Sequence, residues 1–278
     1  MQLYSVNAGY FKLDGGAMFG VVPKSLWKEL NPPDENNMCS WAMRCLLIQD
    51  GNKLILVDNG MGNKQSDKFF GFYYLHGDDN LEKSLKKYGF GMDDITDVFL
   101  THLHFDHCGG SIKFNAAKTG YATAFKNAQY WSNEKHWNWA THPNAREKAS
   151  FLKENILPIQ ESGQLKFTKE GETPLGFEIK EVYGHTEAMM LPMVKYKNTT
   201  IAYMADLIPS VGHIPIPYVM AYDMRPLETI GEKEKMLSKA AENNWLLFFE
   251  HDPKIECCSL QNTERGIRMK DVIKISEV

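Results

Sequence analysis

Residues 101–110, THLHFDHCGG, constrain this chain more than any other stretch of its sequence. Four side chains that can bind metal fall within six consecutive positions there: His102, His104, Asp106 and His107. They directly follow residues 98–100, a short apolar run that is typical of a buried strand. Imidazole nitrogen and carboxylate oxygen suit zinc, and also manganese or iron. Four such groups cannot complete two coordination spheres, so further ligands must come from distant parts of the chain.

Three more residues of this kind each follow a separate candidate strand. His185 comes after EVYG, Asp206 after YMA, and His251 after FFE. Any one of them alone is more readily explained as a satisfied polar residue at a strand end. Together with the histidine cluster they predict a shared metal centre. The other histidines lie in polar or irregular stretches without this context: His76, His136, His142 and His213.

Composition limits the class of protein. The chain has 278 residues, of which 43% are hydrophobic and 24% charged, as in ordinary globular proteins. A net charge of −4 provides no basic surface for a nucleic-acid partner. The N-terminus lacks a signal-peptide pattern, and no apolar run reaches the roughly 18 residues of a membrane span. We therefore expect a soluble, cytoplasmic protein whose five cysteines are reduced.

Periodicity and turn residues predict alternating strands and helices. Residues 44–60 predict a β-hairpin that turns at Asp50-Gly51-Asn52. Further strands are predicted at 121–125, 177–182, 193–196, 200–204 and 246–249. Helices are predicted at 81–88, at 151–157 with an end at Pro158, and at 227–242. With neither a repeat nor a linker, the sequence predicts a single domain over residues 1–278, built from layered sheets covered by helices.

At this point the sequence resembles the metallo-β-lactamase superfamily, whose mark is an HxHxDH motif, here residues 102–107. The resemblance spans most of the chain and includes Val57-Asp58-Asn59-Gly60, Gly184-His185-Thr186, Ala205-Asp206 and Glu250-His251-Asp252. It implies an α/β fold, the four-layer αββα sandwich, in which two mixed sheets are flanked by helices. The metals would then lie at one edge between the sheets.

The resemblance also implies two divalent metal ions, with Zn2+ as the expected metal. The implied ligands of the first ion are His102, His104 and His185, and those of the second are Asp106, His107 and His251. Asp206 would bridge the ions, and Asp106 could also accept a proton from the nucleophile. Asp58 is predicted to orient a ligand histidine from behind, with an ordinary turn aspartate as an equal alternative.

Several branches of the superfamily fit this sequence poorly. Asp206 stands where typical β-lactamases carry cysteine, and the complete motif differs from the flavodiiron branch. Neither the RNA-gripping arm of the processing nucleases nor an obvious basic cluster for glutathione is evident. The remaining group is that of the N-acyl homoserine lactonases and methyl parathion hydrolases.

The expected activity is therefore quorum-quenching opening of N-acyl homoserine lactones by a metal-bridging hydroxide. Hydrolysis of organophosphate triesters or aryl esters is the main alternative. A β-lactamase or a thioesterase like glyoxalase II fits less well. Two further classes stay open: an iron-binding oxygenase or redox protein on the same scaffold, and a binding module that keeps the metals without chemistry.

The substrate pocket is predicted from aromatic residues, for a small molecule with an apolar acyl or aryl group. Residues 69–74, FFGFYY, are interpreted as an apolar loop beside the metals, with a core segment or a homodimer contact as the alternative. The predicted wall residues are Phe69, Phe72, Tyr73 and Trp137. Many related lactonases have a carbonyl-assisting tyrosine three residues after the bridging aspartate, where this chain has Pro209. The predicted substitutes are His213, Tyr218 and Tyr222, with assistance from the metal alone as the alternative.

Overall fold

Two β-sheets pack face to face in the computed structural model, which describes the backbone of residues 1–278 and every side chain except that of residue 172. The strands are β1 (Gln2–Asp14), β2 (Met38–Asp50), β3 (Lys53–Val57), β4 (Asp97–Phe99), β5 (Ile112–Phe114), β6 (Tyr121–Thr123), β7 (Gln129–Asn133), β8 (Leu165–Thr168), β9 (Gly171–Glu172), β10 (Glu178–Val182), β11 (Met189–Tyr196), β12 (Thr199–Tyr203), β13 (Leu246–Phe248), β14 (Cys257–Thr263) and β15 (Gly266–Ile273). The helices are α1 (Gly15–Phe19), α2 (Lys24–Trp27), α3 (Asp67–Tyr73), α4 (Leu81–Lys87), α5 (Phe105–Cys108), α6 (Glu134–Thr141), α7 (Lys153–Glu161) and α8 (Pro226–Glu242).

Both large sheets are mixed. The first has the order β1-β2-β3-β4-β7-β8, in which β1, β2 and β3 are antiparallel and the pairs from β3 to β8 are parallel. The second has the order β15-β14-β13-β12-β11-β10-β9, in which only the β12–β13 pair is parallel. Parallel neighbours end at the same edge of a sheet, so residues that follow them are brought together.

The hairpin of β2 and β3 shows how the sequence builds the layers. Leu46 lies opposite Val57, and Ile48 lies opposite Ile55. These four side chains point into the core between the sheets, whereas Leu47, one position along, belongs to the core under the helices. Because successive side chains of a strand alternate between faces, an apolar run with polar residues only at its ends serves both cores.

Helices cover the outer face of each sheet. On the second sheet, Met236 and Leu237 of α8 pack into the same hydrophobic cluster as the strands of that sheet. On the first sheet, Leu85 of α4 and both Ile156 and Ile159 of α7 pack into a separate core. The order of layers is therefore helix, sheet, sheet, helix, and the predicted four-layer α/β fold is confirmed. No helix among the described residues has both the length and the apolar character that crossing a membrane requires.

Most elements predicted from the sequence are present within a few residues of the expected positions. The hairpin, the strand before the histidine cluster and the helices α4 and α8 are confirmed. The predicted helix 151–157 is wrong at both ends, because α7 begins at Lys153 and runs through Pro158 to Glu161. Burial of Ile156 and Ile159 outweighs the one backbone hydrogen bond that proline removes.

Residues 69–74 do not form the predicted loop. They belong to α3, whose first turn is capped by Ser66, since its side chain accepts a hydrogen bond from the backbone N–H of Phe69. The helix ends at Tyr74, which adopts a left-handed conformation. The elements that the sequence did not predict include β1, α6 and the C-terminal hairpin of β14 and β15.

Candidate metal centre

The carboxyl ends of strands from both sheets supply the candidate ligands. His102 lies three residues beyond the end of β4, and the short helix α5 then carries Asp106 and His107 in a single turn. His185 follows β10, Asp206 follows β12, and His251 follows β13. The chain therefore forms a turn of helix shortly after the strand, which brings Asp106 and His107 into one cluster from successive positions.

Four donors converge in a first cluster, which consists of His102, His104, His185 and Asp206. Nδ1 of His104 lies 3.1 Å from Nε2 of His102 and 3.2 Å from Nε2 of His185. Nε2 of His185 lies 3.1 Å from Oδ2 of Asp206. All four residues are buried, and their facing atoms lie within 4.8 Å of one another.

A second cluster lies beside the first and consists of Asp106, His107 and His251. The Nε2 atoms of His107 and His251 are 3.1 Å apart, and Oδ2 of Asp106 is 3.8 Å from Nε2 of His251. Asp206 faces this cluster too, because its Oδ1 lies 3.1 Å from Nε2 of His251 and its Oδ2 lies 3.5 Å from Nε2 of His107. One carboxylate thus stands between the two sets of imidazoles.

The donor set fits divalent metal ions. Imidazole nitrogens that face each other at about 3 Å need a shared proton or a shared cation between them. Oδ1 of Asp206 is buried and makes no hydrogen bond to any described residue, which is costly for a carboxylate unless a cation satisfies it. Nitrogen and carboxylate donors in this number are those of zinc and related transition metals.

The outer nitrogens of four of these histidines also have defined partners. Nδ1 of His102 lies 3.0 Å from Oγ1 of Thr101, and Nδ1 of His185 lies 2.9 Å from Oδ1 of Asp223. Nδ1 of His251 lies 2.7 Å from the carbonyl oxygen of Ala42, and Nδ1 of His107 lies 3.2 Å from Oδ2 of Asp58. Oε2 of Glu250 also approaches Nδ1 of His107, at 2.9 Å. An acceptor at Nδ1 places the proton there and leaves the Nε2 lone pair free to face the centre.

Asp58 contacts the site from behind. Its Oδ2 lies 3.2 Å from Nδ1 of His107, and its two oxygens accept hydrogen bonds from the backbone N–H and the hydroxyl of Thr101. Asp58 is fully buried and has a positive φ of 56°, a conformation that costs energy for any residue with a side chain. The packing around it therefore holds this carboxylate in one place, against the histidine that the sequence predicted it to orient.

Charge in the site favours cations. Burial by itself lowers the pKa of His185, but the carboxylates of Asp206 and Asp223 outweigh burial and raise it to about 10. Burial lowers the pKa of His102 well below its ordinary value, and the rings of His107 and His104 lower it further. The carboxylates therefore attract positive charge, while crowded imidazoles resist protonation. A divalent cation relieves both effects at once.

Three carboxylates that contact the histidines were not predicted: Asp223, Glu250 and Glu147. Asp223 lies in a loop before α8, far along the chain from His185. Glu147 lies in an irregular, aromatic-rich stretch after α6. Glu250 was quoted beside His251 without a role, although a charged residue that ends the apolar run LLFF was a usable signal. Burial by itself raises the pKa of Glu147, but contacts from His104, Thr186 and Trp139 lower it to about 2.

A cavity of about 350 Å³ opens onto the two clusters. Candidate ligands at its floor are His104, Asp106, His185, Asp206 and His251. Its apolar wall is formed by Leu13, Met18, Phe105, Met220 and Met224. Two of the predicted pocket residues, Tyr73 and Tyr222, line it. Burial raises the pKa of both phenols, that of Tyr73 to about 12, so both keep their protons at neutral pH.

The structure places the other predicted pocket residues elsewhere. Phe69 packs behind the wall, with its ring 5.3 Å from that of Phe105, and Phe72 points into solvent. Trp137 belongs to the core beneath the helices. His213 is buried with both nitrogens engaged, one by the hydroxyl of Ser210 and one by the carbonyl of Met18. Tyr218 packs against the core that contains Phe19. These side chains were misplaced because their surroundings are set by tertiary packing.

A family model described as "Metallo-beta-lactamase superfamily" matches residues 44–251 of this chain. The chain belongs to the metallo-beta-lactamase superfamily. The matched range spans all seven residues of the two clusters. The suspected family is thereby confirmed.

Relatives within the superfamily include lactonases. The chain is 27% identical over 264 residues to an N-acyl homoserine lactonase of a Bacillus species, which covers 90% of this chain and 93% of that protein. It is 28% identical over 144 residues to an N-acyl homoserine lactonase of Bacillus thuringiensis. That match covers 46% of this chain, so the chain spans about half the length, 53%, of that relative.

Solved structures share the fold over almost the whole chain. A probable metal-dependent hydrolase from Staphylococcus aureus has a TM-score of 0.88 and 27% identity, with 98% of each chain covered. AidC, a dizinc quorum-quenching lactonase in complex with a product, has a TM-score of 0.76 and 23% identity, with 98% of this chain and 95% of AidC covered. These similarities agree with the four-layer architecture.

Proposed function

We propose that this protein is a metal-dependent hydrolase whose two clusters each hold one divalent ion, with zinc as the expected metal. The first ion would be bound by His102, His104 and His185, and the second by Asp106, His107 and His251. Asp206 would bridge them, since its Oδ2 lies 3.1 Å from Nε2 of His185 and its Oδ1 lies 3.1 Å from Nε2 of His251. When bound, two such ions lower the pKa of a shared water and polarise the bond to be cleaved.

The substrate proposed for this site is an N-acyl homoserine lactone. The single observation that carries this proposal is the cavity of about 350 Å³, which is lined both by carboxylates and imidazoles and by leucine, methionine and phenylalanine. A lactone carbonyl would lie against the polar lining residues and an apolar acyl chain against the apolar ones. The lactonase relatives point to the same substrate class.

Asp106 and Asp206 are the proposed catalytic residues. Both carboxylates face the cavity floor, so both contact the region where the lactone carbonyl would lie. Asp106 can accept the proton that the attacking water loses and pass it to the alkoxide that leaves when the ring C–O bond breaks. Asp206 lies between the two clusters and would keep their ligands aligned with each other.

A phenol can supply the hydrogen bond for which Pro209 has no donor. Of the three predicted substitutes, only Tyr222 lines the cavity, and Tyr73 lies on the same wall. Because both phenols remain protonated at neutral pH, either can donate to a substrate oxygen. We propose Tyr222 as this donor and Tyr73 as part of the wall.

A substrate panel tests the proposal. It comprises short and long acyl homoserine lactones, nitrophenyl esters, a paraoxon-type triester, nitrocefin and lactoylglutathione, each with the wild type, the metal-free protein and His104→Ala. We expect lactone opening by the wild type alone. Turnover of triesters or aryl esters without turnover of lactones would favour the alternative hydrolase. The aromatic side chains of Tyr73, Phe105 and Tyr222 in the cavity lining are also compatible with an aryl substrate. Lactone turnover no faster than in the metal-free control would refute the lactonase proposal.

We also infer that residues 1–278 form one domain. Side chains from both sheets and from α8 belong to one hydrophobic cluster, so no domain boundary divides the chain between the two sheets. A homodimer stays a prediction, to be measured by light scattering.

A further inference from the structure

Glu147 is a buried carboxylate beside Nε2 of His104, the ring nitrogen that does not face the other candidate ligands, and it lines the same cavity as they do. Only 2% of the surface of this residue is exposed. Oε1 accepts a hydrogen bond of 2.6 Å from the hydroxyl of Thr186 and lies 3.5 Å from Nε2 of His104. Oε2 accepts hydrogen bonds of 2.6 Å from Nε1 of Trp139 and from Nδ2 of Asn144. Three short bonds fix the carboxylate, and its remaining acceptor capacity points at the histidine.

His104 needs an acceptor at this nitrogen. Its Nδ1, not its Nε2, faces the first cluster, at 3.1 Å from His102 and 3.2 Å from His185. A neutral imidazole that offers the Nδ1 lone pair carries its proton on Nε2. That Nε2 is buried and makes no close hydrogen bond to a described residue, whereas the outer nitrogens of the other four histidines each have a hydrogen-bond partner within 3.2 Å.

We propose that Glu147 is a positioning residue of the metal centre, which accepts the Nε2–H of His104 and thereby holds Nδ1 toward the metal. This inference rests on the proposed function, because it assumes that the first cluster binds a divalent ion. It assigns a role to a second residue of the segment between β7 and α7, in which the sequence predicted Trp137 as a pocket residue. Carboxylate, imidazole and metal then form a chain like that of Asp223 with His185.

The surroundings of Glu147 join two ligand-bearing parts of the chain. Thr186 directly follows His185, so the same carboxylate touches the segments that carry two ligands of the first cluster. Trp139 is held in turn by Arg225, whose guanidinium lies 5.5 Å from its ring and donates a hydrogen bond to the carbonyl of Tyr183. The carboxylate therefore cannot swing away from His104 without breaking contacts on both sides.

Zinc binding to the metal-free protein tests this role without relying on turnover. We would titrate Zn2+ against a fluorescent chelator in the wild type, Glu147→Gln, Glu147→Ala and Thr186→Val, after checking each fold by circular dichroism. Loss of a carboxylate behind a ligand histidine weakens metal binding by about 10- to 100-fold. We expect Glu147→Ala to show this loss at one of the two sites and Glu147→Gln a smaller loss at that site, because an amide oxygen can still accept the proton. Thr186→Val is the comparison variant, since it removes one of the three hydrogen bonds to the carboxylate and keeps the carboxylate itself, so we expect a loss of zinc affinity clearly smaller than that of Glu147→Ala.

Nitrogen-15 NMR of the zinc-loaded protein supplies a second readout. A protected Nε2–H resonance of His104 is expected in the wild type and in Thr186→Val, and is expected to exchange with water in Glu147→Ala. A folded Glu147→Ala that binds both zinc ions as tightly as the wild type would overturn the proposal. So would a Thr186→Val that loses as much affinity as Glu147→Ala, because Glu147 would then be only a brace for the segment.

These outcomes are separable from those of the substrate assay. A wild type that binds two zinc ions but opens no lactone would refute the lactonase proposal and leave the Glu147 comparison decisive. A wild type that binds no zinc would overturn both.

Discussion

Asp223→Asn removes one negative charge behind His185 and leaves the shape of the side chain almost unchanged. Oδ1 of Asp223 lies 2.9 Å from Nδ1 of His185, and the residue is 2% exposed. A hydrogen bond to a charged group contributes about 1.5–3 kcal/mol, against about 0.5–1.5 kcal/mol for a neutral pair. The difference, roughly 1–1.5 kcal/mol, corresponds to about a tenfold change in an equilibrium constant. We therefore expect Asp223→Asn to bind the first-cluster metal about tenfold more weakly.

Asp223→Ala is expected to have a larger effect, because it leaves the buried N–H of His185 without an acceptor. Loss of a hydrogen-bond partner behind a ligand histidine weakens metal binding by up to about 100-fold, and we expect Asp223→Ala to show a loss of this size. Zinc competition with a chelator measures both variants, and kcat/KM with a lactone is expected to fall in the same order. Equal zinc affinity in the wild type and Asp223→Asn would refute the reasoning.

Asp97→Asn is the matched control for this prediction. Asp97 is also a buried carboxylate, and it accepts hydrogen bonds from Nε1 of Trp131 and the hydroxyl of Thr96. It lies at the start of β4, whereas the histidine cluster follows the end of that strand. We expect Asp97→Asn to lower Tm and to leave zinc affinity unchanged. A loss of zinc affinity equal to that of Asp223→Asn would show that any lost buried charge weakens the site.

Two further predictions concern folding stability. Gly110→Ala would place a Cβ 2.3 Å from the carbonyl oxygen of Asn59, so we expect the free energy of unfolding, measured in urea, to fall by about 1–3 kcal/mol. Gly71→Ala lies in α3 with open space around it, so we expect it to raise the free energy of unfolding by up to about 1 kcal/mol. Equal effects of the two substitutions would contradict this prediction. Burial lowers the pKa of Lys233 from 10.5 to about 7, so between these pH values the unfolded chain binds a proton that the folded chain does not, and stability rises with pH. The free energy of unfolding of the wild type minus that of Lys233→Met should therefore grow from pH 7 to 10, and a flat difference would show that Lys233 is not held in a desolvated state.

The candidate metal ligands could be found from the sequence because their signals are local. Residues 102–107 place four donors next to one another, and His185, Asp206 and His251 each follow an apolar strand that is recognisable by itself. A strand fixes the direction in which the chain leaves the sheet. Short-range patterns that locate the strands were therefore enough to predict that these side chains share one site.

The partners behind the ligands could not be found in this way. Asp223 and Glu147 lie in irregular segments, and their contacts to His185 and His104 depend on how loops far apart in the chain pack together. Five of the seven predicted pocket residues lie outside the cavity for the same reason. His213 looks like a free histidine in the sequence, yet Ser210 and Met18 occupy both of its nitrogens.

Stoichiometric reloading of the metal-free protein tests the central claim most directly. Zinc would be added stepwise to the chelated, dialysed protein while the opening of N-hexanoyl homoserine lactone is followed by proton release. The two clusters predict that activity is absent without metal, rises with added zinc and stops rising at two ions per chain. Full activity without metal, or no lactone opening with two zinc ions bound, would contradict it.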